Sequence, residues 1–500
     1  MRADWPYGGP GRAFGGRPVT AASPYGGVSR EVTTPWVGAP PAPWAGSSVS
    51  APRKRKRRFL VGSGVGLALA AVAVFAWPRA GTSPVGQQTA VPGRSASASP
   101  STSDVGGIDD ASILALFAHR SAALKAGNLA GWLADVDPTR KALVAQQKQQ
   151  FAGLRALPLA SYVVQAGRSG QHDQYVPAAD QIGATRTRSL GLQVVYRLRG
   201  FDPGPVAREY IPILAEHDGH LMIEGDQTQK IDPETPLEPW DSGPIAVAAG
   251  KHALVIVSAR DRSRLSALVA RADAAVGWVS SMWPKSGSIR PVLYALRDKA
   301  VIGRYAIHAS AVADFDGVTV GAYDAGAHPA VRGTRVLFNP KYVTPASSVA
   351  LLNDLLRHEF THVAHWNDTR RGTPTWAIEG IAEYTSFRGH RSDQRVSGDI
   401  GKAARAGRLP KTLPLSRDFY NDPRGLHYGM GWLAFQYLSE TYGETKLRTL
   451  YYALAAITYE PDSKGALKAE NAAFVKVLGV GERTYVSHLN GWIAHVLRPV

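Results

Sequence analysis

The chain has 500 residues, no cysteine and a formal net charge of +17 at pH 7. Its length allows two or three domains, and the lack of cysteine excludes a disulfide framework and thiolate metal ligands. The charge does not indicate a nucleic-acid-binding protein, because +9 of it lies in residues 1–107 and the other +8 is spread thinly over the rest.

We expect residues 1–52 to form a disordered cytoplasmic tail, because they are rich in Gly, Pro, Ala and Ser without apolar periodicity. Residues 53–77 open with a basic run, and their uncharged remainder would span about 28 Å as a helix, close to the hydrocarbon thickness. They are predicted to be a basic flank and a single transmembrane helix, with the N-terminus in the cytoplasm and everything after Trp77 outside the cell membrane. The alternative is a cleaved signal peptide with a weak cleavage site at residues 74–76.

Residues 78–107 are rich in Ser, Thr, Pro and Gly, which predicts a linker outside the membrane. The segment 108–236 is then predicted to be a small α+β domain. In it, two helical stretches near 110–126 and 138–156 precede strand-like runs. A hairpin turn is predicted at His217–Gly219, between the last two strands.

Residues 123–138, ALKAGNLAGWLADVDP, resemble the first helices of NTF2-like domains. The resemblance implies helices that cover a curved sheet. No cluster of acid and base groups occurs in this domain, so we expect a non-catalytic role. The domain would recognise a wall component or the partner domain, or it would serve as a spacer.

The segment 240–500 begins with a predicted strand at 252–259 and an amphipathic helix from Arg264 to Trp283. Further strands are predicted in PVLYAL, GVTVGAYD and TRVLFNP, ahead of the helix that carries the most specific motif of the chain. Residues 430–500 are predicted to form a helical lobe, in which Gly443 ends one helix.

His358, Glu359 and His362 form an H-E-x-x-H motif. Residues four apart share one face of a helix, so both imidazoles would point at one ion. A catalytic zinc needs three protein ligands and one open position for water. Two His and one later Glu supply three ligands, and Glu359 would lie beside the water, where a hydrolase needs a base.

The later Glu belongs to a second motif, W-x-x-E-G-x-x-E at residues 376–383. The dipeptide Thr373–Pro374 is typical of an N-cap and a first helical residue, which predicts that a new helix starts there. Glu379 and Glu383 then share a face of this helix. The helix of the first motif is predicted to start in the same way, at Thr344–Pro345.

H-E-x-x-H followed by W-x-x-E-G-x-A-E-Y resembles the gluzincin metallopeptidases, in particular the peptidase-MA-like family and more distantly the M1 aminopeptidases. The resemblance implies a thermolysin-like catalytic domain of sheet plus helices, with zinc held by His358, His362 and Glu379. It also implies Glu359 as general base and Glu383 as the carboxylate that steadies a ligand His. No motif of the G-A-M-E-N type is present, so removal of N-terminal residues is not implied.

Amide hydrolysis places negative charge on the former carbonyl oxygen, so a donor is needed opposite the zinc. The segment 424–443 resembles the segment that returns to the cleft on a helix in this family. Tyr428 is the first candidate for the donor and His427 is the second. His365 lies one turn after His362 and is an alternative zinc ligand, although the metzincin pattern that would use it is absent.

The sequence therefore predicts an α+β, membrane-anchored, exported zinc metallopeptidase that acts on a peptide or protein. The competing hypothesis is a catalytically inactive cell-surface binding or envelope-assembly protein that keeps the metallopeptidase fold as a scaffold. Neither the cleavage specificity nor the oligomeric state is indicated by the sequence.

Overall fold

The structure is a computed structural model. It describes residues 107–233, 235–301, 316–326, 329–344, 349–389, 399–421 and 426–496. The predicted cytoplasmic tail, transmembrane helix and linker, except for the last residue of the linker, lie outside these residues. The described chain mixes helices with strands, as predicted. None of the described helices is long and apolar enough to cross a membrane.

The N-terminal unit, residues 108–236, begins with helices and continues with two antiparallel sheets. The helices are α1 (Asp110–Ala126), α2 (Leu129–Ala134) and α3 (Lys141–Ala156), followed by β1 (Leu159–Gln171), β2 (Arg186–Arg188), β3 (Leu190–Leu198), β4 (Val206–Tyr210), β5 (Pro212–His217), β6 (His220–Asp226) and α4 (Thr228–Ile231). The strand orders are β1-β3-β4 and β2-β5-β6. The predicted hairpin is present, because Asp218 and Gly219 both have positive φ, 50° and 80°, as a tight two-residue turn requires.

The next part of the chain forms a five-stranded mixed sheet. Its elements are α5 (Pro239–Ser242), β7 (Ile245–Ala249), β8 (Leu254–Ser258), α6 (Leu265–Met282), β9 (Val292–Ala295), β10 (Gly317–Tyr323) and β11 (Val331–Phe338). The order is β10-β11-β9-β8-β7, with β8, β9 and β11 parallel and the two outer strands antiparallel to them. Strand β7 was not predicted, because its Ala-rich sequence has weak strand propensity.

The C-terminal part is helical. It comprises α7 (Val349–His365), α8 (Thr375–Phe387), α9 (Asp399–Arg405), α10 (Leu426–Ala455), α11 (Lys464–Leu478) and α12 (Glu482–Val496). Gly443 interrupts α10 with a φ of 83° and a ψ of 157°, so the predicted helix end occurs as a kink between two helical segments.

Two helix starts differ from the prediction. Helix α8 begins one residue late, with Pro374 as its N-cap, because the Thr373 hydroxyl donates to the carbonyl of Ala455 at 3.0 Å instead of capping the helix. Thr344 has extended backbone, with a φ of −86° and a ψ of 157°. The predicted first helical residue after it, Pro345, lies outside the described residues.

The five-stranded sheet is buried on both faces. One face packs against α6, α7 and the C-terminal helices through Val255, Val257, Leu293, Ala295, Val336 and Phe338. The other face packs into the core of the N-terminal unit through Leu254, Ile256, Val292, Tyr294, Val318, Val320 and Leu337. The segments 108–236 and 240–500, which the sequence predicts as two domains, therefore share a hydrophobic core.

Buried polar groups tie the N-terminal unit to the same sheet. Arg335 of β11 is fully buried and donates to both carboxylate oxygens of Asp202, at 2.7 and 3.1 Å. Glu238 accepts hydrogen bonds from the hydroxyls of Tyr196 and Tyr294, at 2.8 and 2.9 Å. A buried ion pair whose partner is removed leaves an uncompensated charge, which is strongly destabilising. The junction between the two parts is therefore held by specific contacts as well as by apolar burial.

We expect Arg335→Gln to lower the free energy of unfolding by about 3–5 kcal/mol, because Asp202 then stays buried without its cation. Arg332→Gln on the same strand is the matched control. The Arg332 side chain is 48% exposed in its ion pair with Asp324, and pairs of this kind contribute about 0–1 kcal/mol. Urea unfolding of the purified chain measures both losses, and equal losses would contradict the importance of the buried pair.

Candidate metal centre

Helix α7 places His358 and His362 one turn apart on its buried side, and α8 brings Glu379 against them. One ligand atom from each residue lies within 4.8 Å of the other two. The two Nε2 atoms are 3.2 Å apart, and Oε2 of Glu379 lies 3.3 Å from Nε2 of His358 and 3.6 Å from Nε2 of His362. The three atoms thus converge on one point.

These spacings fit a zinc ion. Ligand atoms about 2.0–2.1 Å from a tetrahedral zinc lie about 3.3 Å from one another, which is close to the three distances between the side chains. Oε2 of Glu379 is also buried without a hydrogen-bond partner among the described residues. An unsatisfied buried carboxylate oxygen is costly unless a cation or a donor meets it.

The charges of the centre favour a cation. Burial alone raises the pKa of Glu379, but the neighbouring imidazoles of His362 and His358 outweigh burial and bring that pKa down to about 2. Glu379 is therefore ionised at neutral pH. A carboxylate beside two imidazole nitrogens is a donor set that suits zinc.

Glu383 lies behind the first ligand. Its Oε1 is 3.1 Å from Nδ1 of His358, and both side chains are buried. When Nδ1 donates to this carboxylate, the lone pair of the His358 ring is on Nε2, the atom that faces the other two ligands.

The glycine of the second motif has a packing role. A Cβ on Gly380 would lie 2.5 Å from the carbonyl oxygen of Gly431, so α8 and α10 approach each other backbone to backbone. Trp376 anchors the same helix by donating from Nε1 to Oε1 of Glu470 at 2.7 Å. The close approach of Gly380 to Gly431 helps to position α8, and with it Glu379 and Glu383, against the centre.

Glu359 is held by β10, an outer strand in the described part of the sheet. The Thr319 hydroxyl donates to Oε2 of Glu359 at 2.8 Å, and a Cβ on Gly317 would lie 2.7 Å from Oε1. Burial raises the pKa of Glu359 above its usual value. Neither Thr319 nor Gly317 was predicted as a site residue. The only sequence signal for Thr319 is one polar position among valines in a strand ahead of the motif.

Two tyrosines lie close to the centre, Tyr428 in the return segment and Tyr420 just before it. The Tyr428 hydroxyl is buried without a hydrogen-bond partner among the described residues. Tyr420, which the sequence did not single out, donates to Oε1 of Glu379 at 2.8 Å and so leaves Oε2 to face the imidazoles. His427 contacts the Phe419 carbonyl through Nδ1 at 3.0 Å.

His365 lies in an aromatic cluster instead of the centre. Its ring is 4.5 Å from the rings of Trp283 and Tyr451. Burial lowers the pKa of His365, which keeps the ring neutral. It does not belong to the group of converging ligand atoms, and the alternative that makes it a zinc ligand has no support from this position.

Comparison with known proteins gives only a remote similarity. No protein-family model matches the sequence, and no curated protein matches it. Among solved structures, native yeast LTA4 hydrolase is similar, with 12% sequence identity and a TM-score of 0.29. The match covers 60% of this chain and 49% of that chain, so this chain spans about half the length of that structure. Nothing about activity follows from a similarity at this level.

We expect the purified chain to bind about one zinc ion, as one three-ligand site implies. Replacing His358, His362 or Glu379 by Ala should each remove most of the zinc, and His365→Ala should retain it. Metal content after dialysis against a chelator measures the difference. Full retention in the Glu379 variant together with loss in the His365 variant would reassign the third ligand.

Proposed function

We propose that the chain is a zinc metallopeptidase that hydrolyses peptide bonds on the outer side of the cell membrane, where the predicted transmembrane helix would anchor it. The observation that carries the proposal is the convergence of three ligand atoms within 4.8 Å. Beside them lies a buried glutamate that is not one of the ligands. This combination supports hydrolysis by an activated water.

Zinc bound at the three atoms supplies Lewis-acid chemistry, which polarises a carbonyl and acidifies a water. The protein supplies the base. Glu359 accepts the proton at Oε1, because Oε2 is occupied by the hydrogen bond from Thr319. Thr319 thereby fixes which oxygen of the carboxylate is available, and Gly317 leaves room for it.

Tyr428 is our choice for the donor to the developing negative charge. Its hydroxyl is buried and unpaired among the described residues, and a substrate oxygen would satisfy it. Burial, assisted by the nearby charge of Glu379, raises the pKa of Tyr428 well above its usual value, so the hydroxyl stays protonated. The contact of His427 with the Phe419 carbonyl favours a structural role for that ring.

The proposed substrate is an extended peptide. In the described part of the sheet, β10 is an outer strand, and outer strands offer unpaired backbone groups to another chain. Thr319 lies on β10, so a peptide paired with this strand passes directly beside Glu359. The location outside the cytoplasm rests on the positive-inside prediction alone.

We expect Glu359→Gln to keep zinc and lose hydrolysis, because the amide cannot take the proton. Thr319→Val should lower kcat roughly 10 to 100-fold through misplacement of the base, with little change in KM, and Thr319→Ser should restore kcat. Thr334→Val on the neighbouring strand is the matched control. Cleavage of a complex peptide mixture by the zinc-loaded chain, followed by mass spectrometry, provides the assay.

The same assay decides between the two hypotheses from the sequence. A zinc-loaded parent chain that cleaves no more peptide bonds than Glu359→Gln would support the catalytically inactive binding or assembly protein. Cleavage that depends on Glu359 excludes it.

A separate prediction concerns the oxyanion donor. Tyr428→Phe should retain zinc and lower kcat on the order of 100-fold, the usual loss for one such donor. Tyr437→Phe, another buried tyrosine of α10, is the control and should match the parent chain. If Tyr428→Phe is fully active while His427→Ala is nearly inactive, the donor is His427.

A further inference from the structure

The N-terminal unit contains a cavity whose lining residues differ from those of the metal centre. It lies between the helices α1–α3 and the face of β1, β3 and β4 on which Val164, Val194 and Arg208 are register partners. It leaves about 10 Å³ for the centres of water molecules, which is room for one water or one small polar group.

One wall of this cavity contains Arg120, a buried cation that forms no ion pair with a described carboxylate. Arg120 is 3% exposed and donates to Oε1 of Gln147 at 2.5 Å and to the Trp132 carbonyl. Its guanidinium also stacks on the Trp132 ring at 3.9 Å. These partners are all neutral, and no described carboxylate forms an ion pair with Arg120. The charge of Asp135 acts on Arg120, but Asp135 is paired with His119 at 2.8 Å.

The other cation of the wall is already paired. Arg208 forms an ion pair with Asp241 at 2.8 Å, and the charges of Glu238 and Asp226 also act on it. Tyr162 and Tyr210 also line the cavity. Burial raises the pKa of Tyr162 to about 12 and raises that of Tyr210 as well, so both are neutral hydroxyl donors at physiological pH. The cavity therefore presents the guanidinium of Arg120, which has neutral hydrogen-bond partners, together with two hydroxyl donors.

We propose that this cavity is a binding site for a carboxylate group, which pairs with Arg120 and accepts hydrogen bonds from Tyr162 and Tyr210. A buried charge is costly unless an opposite charge meets it, and a carboxylate matches the planar guanidinium. The small size selects a single terminal group. Both a free small carboxylic acid and the C-terminus of a peptide carry this group. The proposal is independent of the peptidase activity.

Calorimetric titration of the full chain tests the site. The chain carries Glu359→Gln so that no peptide is cleaved. The probes are propionate, tri-alanine with a free C-terminal carboxylate, and tri-alanine amide. We expect at least one of the two carboxylates to bind and the amide to bind at least tenfold more weakly. Arg120→Gln should weaken binding about 10 to 100-fold, the usual effect of losing a charge-assisted hydrogen bond.

Matched variants separate the site from general effects. Tyr162→Phe removes one donor without changing the shape of the cavity and should weaken binding by up to about tenfold. It also keeps the proposal testable if Arg120→Gln fails to fold. Arg199→Gln and Tyr175→Phe make the same chemical changes at exposed positions of the N-terminal unit and should bind as the parent does.

The outcomes discriminate the sources of the group. Binding of propionate supports a carboxylate as sufficient, and binding of tri-alanine alone assigns the site to a peptide C-terminus. Equal binding of the acid and the amide would overturn the proposal. So would unchanged affinity in folded Arg120→Gln and Tyr162→Phe variants, which would place the peptide at the metal centre, or no binding of either carboxylate, which would leave the cavity to water.

Discussion

The burial of the five-stranded sheet on both faces is the constraint on which the metal centre depends. Strand side chains alternate between faces, so β10 directs Val318 and Val320 into the core of the N-terminal unit and Thr319 toward Glu359 of α7. Separation of the N-terminal unit would expose the two valines and release the strand that positions the base. The N-terminal unit therefore supports the strand that carries Thr319, through the shared core.

A second constraint is the balance of buried charge. The centre gathers the buried carboxylates of Glu359, Glu379 and Glu383 around two imidazoles. Removing carboxylates from water is expensive unless cations or donors replace the water. Thr319 and Tyr420 each supply one donor, and Oε2 of Glu379 remains unsatisfied among the described residues. A divalent cation at that oxygen would supply the missing compensation.

The sequence predicted the features that depend on local spacing. The i, i+4 spacing of His358 and His362, the long amphipathic helix α6 and the hairpin at Asp218–Gly219 follow from short-range geometry, and each has the expected structure. The contacts of Thr319 and Tyr420 could not be predicted in this way, because each joins segments about forty residues apart in the sequence. The start of α8 was misplaced for a related reason, since Thr373 makes a long-range bond to Ala455. The same holds for the shared core, which arises from packing between segments and has no periodicity of its own.

The two sites differ in the kind of buried charged group that they contain. At the candidate metal centre it is the carboxylate of Glu379, whose Oε2 has no hydrogen-bond partner among the described residues. In the cavity of the N-terminal unit it is the guanidinium of Arg120, whose hydrogen-bond partners are neutral. Removing either charged group from water costs free energy, and a ligand of the opposite charge would offset that cost. The two proposed sites therefore draw on the same shared core, the candidate metal centre through α7 and β10 and the cavity through α1, α2 and the β3–β4 face.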